Sequence, residues 1–311
     1  MLFRSDLALL ASQWLNDETP EGMVWVSIDD PGVQGHEPFI GEMSKYETTN
    51  AQYCKFLNDA LASGDILFDG YRVIGKYGSN SGVDYINQPY YFIGGPAQIT
   101  FINGTFKVLS REGNDMSNHP VSVVTWFGAM AFANYYGWRL PTEWEWQAVA
   151  DYDGSYNYGC GATISHTMAN YDNINPLFLS FYPYTAPVGI YPAYGYGICD
   201  MAGNVYELTS SCQFENCNPD SDPRVYRGGS WGSPNAECDN RIRKMCIKID
   251  THIKDLNTST YKQAIFEYFW LFGLWIVEKL YNIQTDWQET INLAYRKALA
   301  WLGHSNSEML D

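Results

Sequence analysis

From Met23 to Ile28 the chain reads Met-Val-Trp-Val-Ser-Ile, a short apolar run suited to a strand. Asp29–Glu37, rich in Asp, Gly and Pro, follows as a turn region. Tyr53, Phe56 and Leu57 then recur at helical spacing behind Thr49 or Asn50, either of which can cap the helix. Alternation returns in Ile99–Ile102 and Thr105–Val108, and the Asn103-Gly104 pair between them predicts a two-residue hairpin turn. Phe127–Tyr135 is an apolar helix rich in small residues. Another helix starts at the capping box Thr142-x-x-Glu145, with Pro141 just ahead.

Residues 151–231 are loop-rich, with many Tyr, Asn, Gly and Pro. Ordered loops of that length need something to hold them, such as a metal or a functional role. Within them Arg224–Trp231 reads as a strand with a Gly-Gly irregularity. Beyond residue 255 the pattern becomes helical. Ala264–Val277 is apolar apart from Glu267 and Gly273, but its 14 residues fall short of the ~20 that a membrane span needs. Asp286–Gly303 places Trp287, Ile291, Leu299 and Leu302 on one face, with Gly303 as a C-cap. Together they predict a helical hairpin that packs on the domain or on a partner, and that offers a surface for self-association. Asp6–Leu15 predicts a short amphipathic helix. The expected organisation is a short helix in residues 1–20, a main domain over 21–246 and a helical tail over 247–311.

Composition changes this picture further. The chain's 311 residues suffice for one large domain or two modest ones. With 46% hydrophobic and only 17% charged residues, it is not a disordered acidic polymer. Its 24 Tyr, 11 Trp and 27 Gly favour irregular, turn-rich structure over a plain bundle. The net charge of −16 repels polyanions, which argues against nucleic-acid binding. The same charge suits cations such as calcium, or serves solubility alone. Seven cysteines include no Cys-x-x-Cys pair and no zinc spacing. Cys212 and Cys217 could close a small loop by disulfide, which spacing alone does not decide. The start, Met1–Asp6, does not read as a signal peptide, because Asp6 interrupts the apolar region and no small-residue cleavage site follows.

Seven segments taken in order resemble the formylglycine-generating enzyme (sulfatase-modifying factor) family. They are Glu47–Tyr53 (ETTNAQY), His119–Trp126 (HPVSVVTW), Arg139–Trp146 (RLPTEWEW), Ala169–Tyr171 (ANY), Thr185–Gly189 (TAPVG), Tyr196–Glu207 (YGICDMAGNVYE) and Arg227–Trp231 (RGGSW). The resemblance implies an α+β fold of the irregular C-type-lectin-like kind, here followed by the C-terminal helical hairpin. The likeness weakens after Arg243, where the family's terminal strand near a Gly-Phe-Arg sequence is not found. Residues Asp6–Leu15 look like the last helix of a dockerin-type module of a secreted bacterial protein. That likeness implies an extracellular or periplasmic location.

The resemblance also implies sites. The loop Asp200–Glu207 would wrap calcium through the side chains of Asp200 and Glu207 and the carbonyls of Gly203 and Val205. The alternative is that Asp200 caps a turn and Glu207 pairs with an arginine. A second calcium site would use Asn170, the Tyr171 carbonyl and an acidic residue, but Ser180 stands at the acidic position. Members that make formylglycine hold Cu(I) with two cysteines after the Gly-Gly-Ser-aromatic motif. Cys238 matches the second, and the first falls on Ser233, a hard and weak donor. Cys246 lies nearby at the wrong spacing. Glu143 and Glu145 sit two apart on a helix and do not face each other, so a structural charge network with Arg139 is expected. None of the five histidines forms a His-x3-His pair, and His119 is expected to be structural.

Two functions follow. One is a non-catalytic module stabilised by calcium, whose groove binds a peptide, glycan or protein through Tyr206, Tyr226, Ser230, Trp231 and Asn235. The other is a copper-dependent oxidase acting on a sulfatase cysteine, with Cys238 as the remaining thiol and Ser230 lining the site.

Overall fold

Among the described residues three threonines start three α-helices, each by accepting a hydrogen bond from an otherwise orphaned backbone N–H. Thr49 caps α1 (Asn50–Ala62) in a full capping box with Gln52. Thr125 caps α2 (Trp126–Tyr135) by accepting from Gly128. Thr142 caps α3 (Glu143–Ala150) in the expected box with Glu145. The computed structural model describes residues 20–33, 36–76, 86–214 and 222–246, and the backbone of Phe272 and Gly273.

The strands form small, mostly antiparallel sheets. β1 (Trp25–Asp30) pairs with β2 (Phe39–Ser44). β3 (Ile66–Phe68), β4 (Arg72–Gly75) and β5 (Pro89–Phe92) form a second sheet in that order. β6 (Ile99–Ile102) and β7 (Thr105–Val108) make the predicted hairpin. Its turn residues Asn103 and Gly104 both take positive φ, +52° and +81°, as a tight turn of this twist requires. β8 (Ser110–Arg111) and β9 (Asn114–Asp115) form a short ribbon.

The sheet that carries the site has the order β12-β11-β10-β13. It consists of β10 (Tyr206–Cys212), β11 (Arg224–Arg227), β12 (Lys244–Cys246) and β13 (Phe272–Gly273). β13 lies parallel to β10, with Phe272 opposite Tyr206 and Gly273 opposite Glu207. This corrects the expected tail helix at these two positions: their backbone is strand. The physical reason is that an open edge of β10 presents unpaired N–H and C=O groups, which a passing segment satisfies. The remainder of the helical hairpin and the helix expected over residues 6–15 lie outside the described residues.

Three apolar clusters hold these pieces together. The largest joins α1, α2 and the β3–β7 strands around packed rings: Tyr53 stacks on Phe132 and Phe56 meets it edge-on, each at 5.5 Å. Each such large side chain contributes about 1.5–3 kcal/mol by its burial. A second packs Ile28, Phe39 and Met43 against Trp146 and Val149 of α3. The third, of Cys160, Ala169, Tyr171, Ala202 and Cys238, lies beneath the candidate site.

Charge pairs fix α3 to the site sheet. Glu143 accepts from Arg243 at 2.5 and 2.7 Å and lies 3.5 Å from Arg227. Arg139 grips Glu145 with two hydrogen bonds of 2.6 and 2.7 Å. These carboxylates are committed to arginines and caps, the structural network that their spacing suggests. Cys54, Cys160, Cys199 and Cys238 are free thiols, whereas Cys212 is in a disulfide. Cys217, its possible partner, lies outside the described residues.

Candidate functional site

β11 runs into Gly228 and Gly229, and both take a left-handed φ, +87° and +81°. Only glycine fits here, for steric reasons as well as conformational ones. A Cβ on Gly228 would lie 1.9 Å from Glu207 Oε2, and one on Gly229 would lie 2.6 Å from Cys238 Sγ. The Gly-Gly irregularity therefore lets backbone pass directly over a buried carboxylate and a buried thiol.

Ser230 and Ser233 follow in a tight turn. The Ser230 N–H donates to Ser233 Oγ at 3.2 Å, and the two hydroxyls lie 3.1 Å apart. Ser233 Oγ also lies 2.7 Å from Tyr206 Oη. That phenol is 2.8 Å from Glu237 Oε2 and accepts from Lys244 Nζ at 3.1 Å. Lys244 and Glu237 pair directly. A polar chain thus runs from the half-buried Lys244 and Glu237 through Tyr206 to two buried serines. Burial is the main cause that holds the Tyr206 phenol well above its usual range, and the Glu237 charge adds to it. Tyr206 is therefore a protonated hydrogen-bonding group, not a base.

Cys238 is fully buried, at the end of a 3-10 turn over Asn235–Cys238. Burial first, and then the charge of Glu207, pushes its thiol up to about 12. Held protonated, the thiol is a poor nucleophile. The other expected ligand position holds a serine already engaged with Tyr206 and Ser230. The residues present therefore do not fit a two-thiolate Cu(I) site.

The calcium candidates are brought close to this loop. Gly203 (φ +80°) donates its N–H to Gly228 O at 2.9 Å, and Asn204 donates to Asn170 O at 2.7 Å. Asn170 Nδ2 reaches Asn204 Oδ1 at 3.2 Å, so the two sets of expected ligands adjoin. Asp200 Oδ2 accepts from Gly189 N–H at 3.1 Å. Burial pushes the Asp200 carboxyl up to about 6. The buried atoms Asp200 Oδ1 and Asn170 Oδ1 have no hydrogen-bond partner among the described residues. In donor chemistry these oxygens suit a hard cation. Asp200 and Glu207 face different neighbours, however: Asp200 faces Gly189 and Glu47, and Glu207 faces Gly228 and Cys238. Among the described residues no three His, Cys, Asp or Glu side chains converge on one point. The Tyr171 carbonyl accepts from Ile174 N–H at 3.2 Å. Ser180 binds the Glu112 carboxylate through its N–H and its hydroxyl, at 2.9 and 3.3 Å.

Of the expected groove residues, Tyr206, Tyr226, Ser230 and Trp231 are brought together but all are buried. Tyr226 meets Tyr206 edge-on at 4.8 Å. They lie beneath the surface, while Asn235 is exposed. Sequence reasoning gave no role to Glu47, which is fully buried and accepts from Asn204 Nδ2 at 2.6 Å and from Val205 N–H at 3.2 Å. Burial, and then Asp200, holds its carboxyl well above the usual range. The motif Glu47-Thr-Thr-Asn was visible, but nothing local tied it to a loop 157 positions away. Also missed was an aromatic cluster: Tyr182 stacks parallel to Trp231 at 6.3 Å, and Tyr184 meets it edge-on at 5.2 Å.

An irregular α+β domain whose glycine-paired loop crosses a buried Cys and Glu defines a protein of the formylglycine-generating-enzyme-like class. The chain belongs to the family of the sulfatase-modifying factor enzyme 1-like domain, which matches residues 36–254. It is 27% identical to the mouse formylglycine-generating enzyme over 262 residues, 70% of this chain and 66% of that enzyme. It is 38% identical over 132 residues to the serine/threonine-protein kinase Pkn1 of Chlamydia caviae, 38% of this chain and only 20% of the kinase. The chain thus spans a fifth of that kinase and just under two thirds of the mouse enzyme. Among solved structures, that of CarF superposes with a TM-score of 0.53 at 16% identity, covering 83% of this chain and 99% of CarF. That likeness concerns the fold alone. Among the described residues no helix is long and apolar enough to cross a membrane.

Proposed function

We propose that this domain is a non-catalytic binding module of its family, stabilised by calcium, whose exposed face takes a peptide, glycan or protein ligand. The observation that carries the reading is Ser233 at the position of one of the two expected thiolates, tied to Tyr206 and Ser230 at 2.7 and 3.1 Å, beside the buried thiol of Cys238. Fold alone does not confer activity, and the chemistry of oxidation needs both soft ligands. The alternative is a copper-dependent formylglycine-generating oxidase. It is favoured by the 27% identity to the mouse enzyme, but it would need a second thiol at Ser233. A Cu(I) titration with thiol counting tests the reading. The expected result is no stoichiometric Cu(I) bound by two thiolates in the native chain. A one-to-one complex that consumes two thiols, one of them Cys238, would overturn it.

Calcium would be held in the Asp200–Glu207 loop by the side chains of Asp200 and Glu207 and the carbonyls of Gly203 and Val205, and would neutralise buried carboxylate charge. A ligand that binds only the native state stabilises it by RT ln(1 + [L]/Kd), about 2.7 kcal/mol at 100 times Kd. Chelator is therefore expected to lower the melting temperature, and Asp200→Ala to abolish the response. A melting curve unchanged by excess chelator would remove calcium from the account.

A further inference from the structure

We infer that Phe178 and Phe181 form a rigid docking prong for a partner polypeptide segment in which Lys or Arg flanks an apolar side chain. Phe178 is 88% exposed and Phe181 is 73% exposed. Leaving two phenylalanines in water forfeits the free energy that their burial would contribute. Singly scattered apolar residues need no explanation, but these two are held out by an overdetermined backbone.

The supports come from both sides. The Asn175 side chain accepts from Leu179 N–H and donates to Leu179 O, at 2.9 and 2.8 Å, while Leu179 itself is buried. Glu112 holds Ser180 by two hydrogen bonds. The Arg111 guanidinium donates to three successive carbonyls, those of Phe181, Tyr182 and Pro183, at 2.5, 3.0 and 2.9 Å. Next along the chain, Tyr182 lies flat against Trp231. Phe178 sits at φ +54°, a conformation that a bulky residue adopts only under constraint. Strain retained in an exposed, clamped aromatic points to function. Preorganised aromatic anchors are the side chains that dominate protein interfaces.

Charge identifies the occupant. The carboxylates tied to the prong are Glu112, bonded to Ser180, and Asp115, on the same β8–β9 ribbon, both exposed. Asp115 is held below the usual carboxylate range by hydrogen bonds from Ser117, so it is ionised. The nearby cation, Arg111, is turned onto backbone carbonyls. An apolar anchor in a negative field fits a cationic segment. A second copy of this chain, at net charge −16, brings the same sign and is disfavoured.

This inference rests on the binding-module reading and names its partner class. The test uses the full chain and three probes: an amidated Lys-Arg-Leu-Leu-Arg-Lys peptide, the same peptide with Glu in place of its basic residues, and a neutral oligosaccharide. The basic peptide is expected to bind, and more weakly in about 0.5 M salt. Phe178→Ser with Phe181→Ser is expected to weaken it about tenfold, with the melting temperature unchanged because both side chains are exposed. Equal affinity in the double variant, no binding of the basic peptide, or equal binding of the acidic peptide or the sugar would overturn the inference. So would a dimer, seen by sedimentation, that is lost in the double variant. Formylglycine formation by the same chain would instead overturn the binding-module reading and leave any loss of affinity at the prong standing.

Discussion

Gly203→Ala is expected to destabilise the domain by about 3 kcal/mol or more, enough to leave a large unfolded fraction in a marginally stable fold. Gly203 takes φ +80°, where any Cβ is strained. The added methyl would also lie 2.2 Å from Asn170 O and 2.9 Å from Asn170 C. Both are backbone atoms and cannot swing aside. The Asn204 N–H fixes that same carbonyl at 2.7 Å, and the Gly203 N–H is fixed on Gly228 O. Gly64→Ala is the control, because Gly64 has the same φ of +80° with nothing within 4 Å of the added Cβ. It carries the backbone cost alone, about 1 kcal/mol. Urea denaturation of the two variants separates the terms, and equal losses would contradict the close packing of the two loops.

The second large effect is a pH dependence set by His119. Its Nδ1 lies 2.9 Å from Thr185 Oγ1, and burial pulls its pKa down from 6.5 to about 4, with Arg111 adding to the fall. The native state therefore holds His119 neutral where the unfolded chain protonates it. Between pH 6.5 and about 4 the unfolded state binds more protons, so this contribution to stability is complete above 6.5 and is lost as pH falls. A shift of this size corresponds to about 3 kcal/mol. In urea titrations at pH 7 and pH 4, the wild type is expected to lose about that much more than His119→Gln. Parallel losses in the two proteins would show that His119 does not titrate as its burial requires.

Much of the framework was legible because its signals are local. Thr49 and Thr142 sit three residues before Gln52 and Glu145, and each pair closes as a capping box. Asn103-Gly104 supplies the two positive-φ residues of its hairpin. The β3-β4-β5 sheet was not seen, because its strands are three or four residues long and too short for a period to show. The sequence predicts helix where Phe272–Gly273 is strand, because a mostly apolar run carries no period that separates the two. In the site, the substitution at Ser233 was visible in the sequence, but its partner Tyr206 lies 27 positions away. Nor could sequence show that Tyr206, Tyr226 and Trp231 would be buried while Phe178 and Phe181 stand in solvent. All five are aromatics in or beside loops, and the chain's path, not residue type, decides which are covered.

On the proposed reading, Ser233 closes this site to oxidation chemistry. The most direct measurement is to incubate the full chain with a Cys-x-Pro-x-Arg peptide, Cu(I) and O₂, and to follow the peptide by mass spectrometry. The account predicts no aldehyde product above the enzyme-free control, whereas several formylglycine turnovers per chain would contradict it.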